Sequence, residues 1–469
     1  MQREFRTRIH NPFGAWVAHE KNRKKENVSV NMTTRTTGAK WVGAVLLAMT
    51  ISAPVHAQEK KTPLPLANPE SVGISQDGVQ RIDAFFKSEI AKNRMPGAVL
   101  AVARHGKLAI YRSYGYLNKE NQTPMPLDAI FNLASMTKVM ASVGALTFYE
   151  EGRLPLGSDV ANWLPEFKSV SVGVVNADKS VTANPSKSPI TIQDLMRHTN
   201  GLTYGARGSS PIHKLFPGSS AGAAFEYSGA EFIKKLASTP LLYEPGTVWD
   251  YGFGIDVLGL VQEKLANKPL NDVLQERVWS KVGMPDTTFH VPEKDKTRLA
   301  QPLPLDPITQ KPQSIAVLKQ QPKFDCGGSC AYSTAADYVR FGQMMLNGGT
   351  LDGKRVLGAQ TVALMTSNHL TPAIQNNVGQ TEPGRNGYGF GLGVAVRTER
   401  GLSPMNGHVG DYSWNGANGT QFWVDPREQL VVVVMAAAPG EIRKIHREQV
   451  NALIYGALGA RRMHRGHDD

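Results

Sequence analysis

A chain of 469 residues, 41% hydrophobic and 20% charged, with 45 glycines and 29 prolines, can bury a real core. That balance excludes a disordered, collagen-like or disulfide-scaffold protein. The formal net charge of +12 points first to nucleic acid or a membrane surface, but half of it sits in residues 1–57, so no nucleic-acid partner is expected.

From Met32 the chain shows a short basic stretch (Arg35, Lys40), an apolar run over Trp41–Ile51 and a small-residue exit at Val55-His56-Ala57. This is the layout of a secretory signal peptide cut after Ala57. The run is too short to span the roughly 30 Å of bilayer hydrocarbon. Residues 1–31 do not fit such a peptide, so translation is expected to start at Met32. The mature protein is expected to be periplasmic or secreted, without stable membrane insertion.

Next, residues 71–93 carry Val79, Ile82, Phe85, Phe86 and Ile90 at helical spacing, and Gly97–Asn118 alternates around a His105-Gly106 turn, the pattern of a hairpin. Phe131–Gly152 reads as a helix capped near Ser135. Residues from about 155 to 320 are loop-rich with helical stretches, and strand signals return at 386–398, 419–426 and 430–438 before a last helix. Two loops, Gly205–Gly229 and Thr371–Gly387, are rich enough in Gly and Ser to serve as mobile covers over the cleft, but are expected to be solvated surface. The fold class is α+β: an antiparallel sheet flanked by helices, built from both ends of the chain (58–153 and 321–460), with a mainly helical inserted domain (154–320) and a tail at 461–469. Cys326 and Cys330, spaced C-G-G-S-C, either form a disulfide, which an oxidising compartment permits, or pack as two free thiols beside a turn. With no histidine nearby they make no metal set.

Ser135-Met136-Thr137-Lys138 is an S-x-x-K string, which on a helix puts the ammonium beside the hydroxyl. A serine hydroxyl needs a neighbour to take its proton, and a lysine or tyrosinate can do so. The string gains meaning from further motifs in order: ITIQDLMRHTNGL, YEPGTVWDYGFGIDVLG, VGMPDTTF, STAADYVRFGQMMLNGG and WNGANGTQFWVDP. Together these resemble the serine β-lactamase-related family, which holds class C β-lactamases, D,D-peptidases and family VIII carboxylesterases. The resemblance implies a β-lactamase/transpeptidase-like fold, Ser135 as acylated nucleophile, Lys138 as proton-tuning lysine and Tyr251 as base. It places the oxyanion hole at the backbone N–H groups of Ser135 and Ala417, and the third motif at Trp414-Asn415-Gly416, as in the family VIII esterases. An H-x-G version at His408-Val409-Gly410 is the alternative.

Two departures bear on substrate. The family's Y-x-N reads Tyr251-Gly252-Phe253 here, and Trp414 stands where the β-lactamases carry a lysine. Both remove polar recognition, so Trp414, Gly416, Phe253 and His408 are expected to line a permissive, apolar site. The expected activity is hydrolysis of short-chain esters through an acyl-serine, with a small-molecule ester or amide as partner and no metal or organic cofactor. The alternatives are a β-lactamase, D,D-peptidase or D-amino-acid amidase, and a non-catalytic binding module that keeps the fold.

Overall fold

The computed structural model describes residues 62–459, so the leader, its cleavage point and the tail at 461–469 lie outside the described residues. Strands Gly97–Arg104 (β1), Lys107–Asn118 (β2) and Thr123–Pro124 (β3) come early. Tyr388–Phe390 (β4), Ala395–Arg397 (β5), Tyr412–Asn415 (β6), Gln421–Asp425 (β7) and Leu430–Ala436 (β8) come late. Among the described residues they form one eight-stranded sheet, ordered β4-β5-β6-β7-β8-β1-β2-β3. The late strands join the early ones by antiparallel pairing of β8 with β1, from Ala98 opposite Ala436 to Arg104 opposite Leu430. The β1–β2 turn places His105 and Gly106 both at positive φ, which suits the twist of a two-residue hairpin.

β1 and β8 are buried along their whole length because both sheet faces are covered. Their two-residue period sorts side chains into two cores. Val99, Ala101, Val431 and Val433 enter the larger one, whereas Leu100, Val102, Val432 and Val434 enter the smaller. The smaller core is closed by helix Gln76–Ala91 (α1) through Val79, Ile82 and Phe86, and by the C-terminal helix Ile442–Ala457 through Val450 and Ile454. The Ser75 hydroxyl caps α1 by accepting from the Gly78 N–H.

On the other face helix Ala335–Leu346 packs against β1, β7 and β8, and the larger core extends from there to Thr137–Glu150 (α2) and, between the two groups of strands, Ile192–Arg197 (α3), Ser220–Glu226 (α4), Gly229–Ser238 (α5) and Gly254–Ala266 (α6). Three local expectations are corrected. Phe131–Gly152 is not one helix: Phe131–Asn132 pairs with Tyr332–Ser333, a 3₁₀ turn covers Ala134–Met136, and α2 begins only at Thr137, with no side-chain cap. The 386–398 stretch is two strands, β4 and β5, joined through Gly391–Gly393. Within 155–320 an antiparallel hairpin, Ser171–Val175 with Val181–Pro185, stands among the helices.

Candidate active site

Ser135 lies in the 3₁₀ turn ahead of α2, not in the helix itself. Its neighbour Ala134 is held at φ 46°, a left-handed conformation costly for a residue with a Cβ. Surrounding bonds impose it: the Asn132 side chain accepts from the Ala134 N–H (3.1 Å), the Leu133 N–H donates to the Ala331 carbonyl (2.9 Å), and the Tyr338 hydroxyl donates to the Met136 carbonyl (2.9 Å). A helix beginning just beyond aims its positive end at this turn.

Lys138, in the first turn of α2, is fully buried. Its ammonium donates to Tyr204 Oη (2.9 Å) and to the Gly328 carbonyl (2.7 Å). Tyr204 Oη is 2.7 Å from Ser220 Oγ, Ser220 donates to Asp256 Oδ2 (2.6 Å), and Asp256 Oδ1 accepts from the Gly328 N–H (2.9 Å). The bonds close a ring in which one buried cation and one buried carboxylate are linked through a phenol, a hydroxyl and a peptide. With Asp256 ionised, Ser220 spends its proton on it, so Tyr204 donates to Ser220 and offers its oxygen to Lys138. Burial alone would depress the Lys138 ammonium, but the oxygens of Tyr204 and Tyr251 and the Asp256 carboxylate outweigh it and hold Lys138 above its ordinary value. Lys138 is therefore a fixed cation at neutral pH. Burial raises the Asp256 carboxyl, with Lys138 opposing.

Tyr251 does not accept a bond from Lys138; the ammonium sits 4.5 Å from the centre of its ring. Its oxygen accepts from Trp414 Nε1 (3.1 Å), and the two rings lie 5.1 Å apart. The buried His198 ring packs against Tyr251 at 4.8 Å, and burial, with the charges of Lys138 and Arg207, keeps its imidazole well below the usual range and neutral. Tyr251 is fixed by its backbone neighbours: Thr203 bridges to Gly252, and the Phe253 N–H donates to the Leu202 carbonyl (2.8 Å). A Cβ on Gly252 would stand 1.9 Å from that carbonyl, so only glycine lets this chain pass.

Gly416 has a similar reason. A Cβ there would meet the Leu133 carbonyl at 2.2 Å and Thr420 Oγ1 at 2.0 Å, because the turn after β6 runs against the turn that carries Ser135. Thr420 Oγ1 donates to the Leu133 carbonyl (3.0 Å), and Asn418 Nδ2 donates to Asn132 Oδ1 (2.6 Å). These contacts bring Ala417 and Ser135 to one cavity of about 130 Å³, which Tyr251 and Trp414 also line.

Ser135, Tyr251, Trp414 and Ala417 are thus brought together, with Lys138 beneath them and Gly416 behind. Phe253 and His408 are not. Phe253 is fully buried, edge-on to Tyr204 (4.6 Å) and Phe232 (5.3 Å), where it fills core space. His408 bonds Asp425 (2.7 Å) beside a separate opening lined by Arg400, Glu428 and Tyr455. The apolar expectation also needs correcting, because Arg207, Arg385, Arg443 and Arg447 line the cavity with a single carboxylate, Glu382. Arg207, Glu382 and Arg385 come from the two loops expected to be solvated surface. Glu382 accepts from Arg447 (2.6 Å) and Asn415 (2.6 Å), and Arg447 also donates to the Gly416 carbonyl (2.6 Å). Burial opposes ionisation of Glu382, but Arg447 and Arg385 bring its carboxyl down to about 2. Cys326 and Cys330 are joined as a disulfide.

Tyr204, Ser220, Asp256, Gly328 and Glu382 escaped sequence reasoning. Two local signals lay near them: the G-G between the two cysteines beside Gly328, and the YEPGTVWDYGFGIDVLG string, which contains Asp256.

Compared with known proteins, residues 82–454 match the family described as Beta-lactamase. Protein Rv1367c of Mycobacterium tuberculosis is 33% identical over 346 residues, 73% of this chain and 85% of that protein. Esterase EstB of Burkholderia gladioli is 28% identical over 373 residues, 76% of this chain and 89% of its own. Among solved structures, EstCE1, described as a hydrolase with promiscuous acyltransferase activity, superposes with a TM-score of 0.67 at 26% identity, covering 81% of this chain and 99% of that one.

Proposed function

This chain belongs to the beta-lactamase family and is a serine hydrolase, and we propose that it cleaves short-chain carboxylic esters through an acyl-serine intermediate. The observation that carries the reading is the meeting of Ser135, Tyr251 and Trp414 in a cavity of about 130 Å³, room for a small acyl group, above the buried Lys138 cation. The esterase EstB supports ester hydrolysis, and the hydrolase EstCE1, with its acyltransferase activity, supports an acyl-enzyme.

In this mechanism Tyr251 takes the Ser135 proton as Oγ attacks the ester carbonyl. The Lys138 ammonium stands against its ring and the Trp414 N–H donates to its oxygen, so both groups face the phenol as the proton moves. The oxyanion is held by the backbone N–H groups of Ser135 and Ala417. Tyr251 returns the proton to the departing alcohol, then takes one from the water that attacks the acyl-serine and passes it to Ser135 Oγ as the acid leaves. Ser135→Ala is expected to abolish turnover of p-nitrophenyl butyrate by the pure protein, and retained turnover would refute the assignment.

The four arginines favour a second reading, in which the substrate carries a carboxylate, as a β-lactam or a peptide-like amide does. Nitrocefin and p-nitrophenyl butyrate compared on one preparation separate the two, since a higher kcat/KM for nitrocefin decides for the second. Export to the periplasm or medium is part of the proposal. The Cys326–Cys330 disulfide supports it, because such bonds persist in oxidising compartments. N-terminal sequencing of protein from the periplasmic fraction tests it, with a start after Ala57 expected.

A further inference from the structure

The disulfide closes the loop that carries Gly328 against Lys138. Cys326 and Cys330 are both buried, and the loop between them turns tightly, the N–H groups of Ser329 and Cys330 both donating to the Cys326 carbonyl (3.1 Å each). At its tip, Gly328 turns its carbonyl to the Lys138 ammonium (2.7 Å) and its N–H to the Asp256 carboxylate (2.9 Å). One residue thus holds both buried charges. The fit is close: a Cβ on Gly328 would stand 2.3 Å from Asp256 Oδ2 and 2.5 Å from Ser220 Oγ.

Beyond the second cysteine the chain runs straight to the nucleophile. The Ala331 carbonyl accepts from the Leu133 N–H (2.9 Å), the Ala331 N–H donates to Thr137 Oγ1 (3.2 Å), and Tyr332–Ser333 pairs with Phe131–Asn132. The five residues from Cys326 to Cys330 therefore link what sets the height of Lys138 to what sets the turn carrying Ser135.

We propose that the Cys326–Cys330 disulfide, with Gly328 and Asp256, is a positioning clamp for the acylation step, fixing Lys138 relative to Ser135 and Tyr251. This rests on the serine-hydrolase mechanism given above. Without the bridge the loop gains freedom, Gly328 leaves Lys138 for part of the time, and the cation no longer stays against Tyr251. Binding of substrate in the cavity does not pass through this loop, so kcat should fall while KM holds. The groups facing Lys138 are Tyr204 and Tyr251, Asp256, and His198 with Arg207 close behind. Weakening the Asp256–Gly328 side of that set destabilises the ammonium, so activity should fail at lower alkaline pH than in the parent.

The experiment is Cys326→Ser/Cys330→Ser assayed on p-nitrophenyl butyrate across pH 6–11, with Asp256→Asn and Gly328→Ala alongside in case the double variant does not fold. The expected result is a kcat lower by about ten-fold or more, KM within about two-fold, and an alkaline limb moved to lower pH in each folded variant. A folded double variant with parental kcat and pH profile overturns the clamp, as does any folded variant in which only thermal stability changes. Ser135→Ala run in parallel keeps the two ideas apart. If Ser135→Ala is active the mechanism fails, and if it is dead while the clamp variants match the parent only the clamp fails.

Discussion

Trp414 both walls the cavity and donates its ring N–H to the oxygen of Tyr251. Trp414→Phe keeps the aromatic wall and deletes the donor. A hydrogen bond to a developing charge is worth about 1.5–3 kcal/mol, so kcat is expected to fall by roughly ten-fold or more with KM little changed, read from steady-state kinetics. Gly416→Ala acts from behind the cavity, where its Cβ would strike the Leu133 carbonyl; if this shifts the Ala417 N–H, the proposed oxyanion donor, the expected cost is about 10²- to 10³-fold in kcat, read from steady-state kinetics. At this scale the meeting of Ser135, Tyr251 and Trp414 around one cavity was legible because each sits in a short motif string, and Lys138 shares the string of Ser135. Tyr204, Ser220 and Asp256 were not. Each comes from a separate segment, and only tertiary packing gives an ordinary tyrosine, serine and aspartate a common purpose.

Among elements, those whose pattern follows from burial were legible, and those decided by distant pairing were not. The strand at Leu430–Ala436 shows itself as an unbroken apolar run because both its faces are covered. The start of α2 does not, because Phe131–Asn132 is claimed by Tyr332–Ser333 and Ala134 is forced to positive φ by bonds the local sequence does not announce. The Thr371–Gly387 stretch was read as solvent-facing from its composition, yet it delivers Glu382 to the buried Arg447 and Asn415. That carboxyl sits at about 2, below its ordinary 4.5. Its contribution to stability is therefore complete above pH 4.5 and is lost as the pH falls from there through 2; by linkage it is on the order of 3 kcal/mol. Melting temperatures of the parent and Glu382→Gln should differ most near neutrality and converge on acidification; a gap independent of pH would refute the pairing as its cause.

The whole molecule is organised by one sheet with a core on each side. Val432 and Val433 are sequence neighbours on opposite faces, so each Val→Ala substitution should cost about 2 kcal/mol and the pair should add to within about 0.5 kcal/mol, measured by denaturant unfolding. A larger coupling would mean that the two cores do not respond independently. The α+β class and the closing of the sheet by late strands were legible, since strand patterns at the two ends of a chain have few other ways to bury themselves. The pairing of β8 with β1 has a consequence for biosynthesis. Because most of the chain separates the partners, β1 waits with an open edge until β8 has been made. A nascent chain of this design stays unfinished, and so threadable through a narrow channel, almost until its synthesis ends.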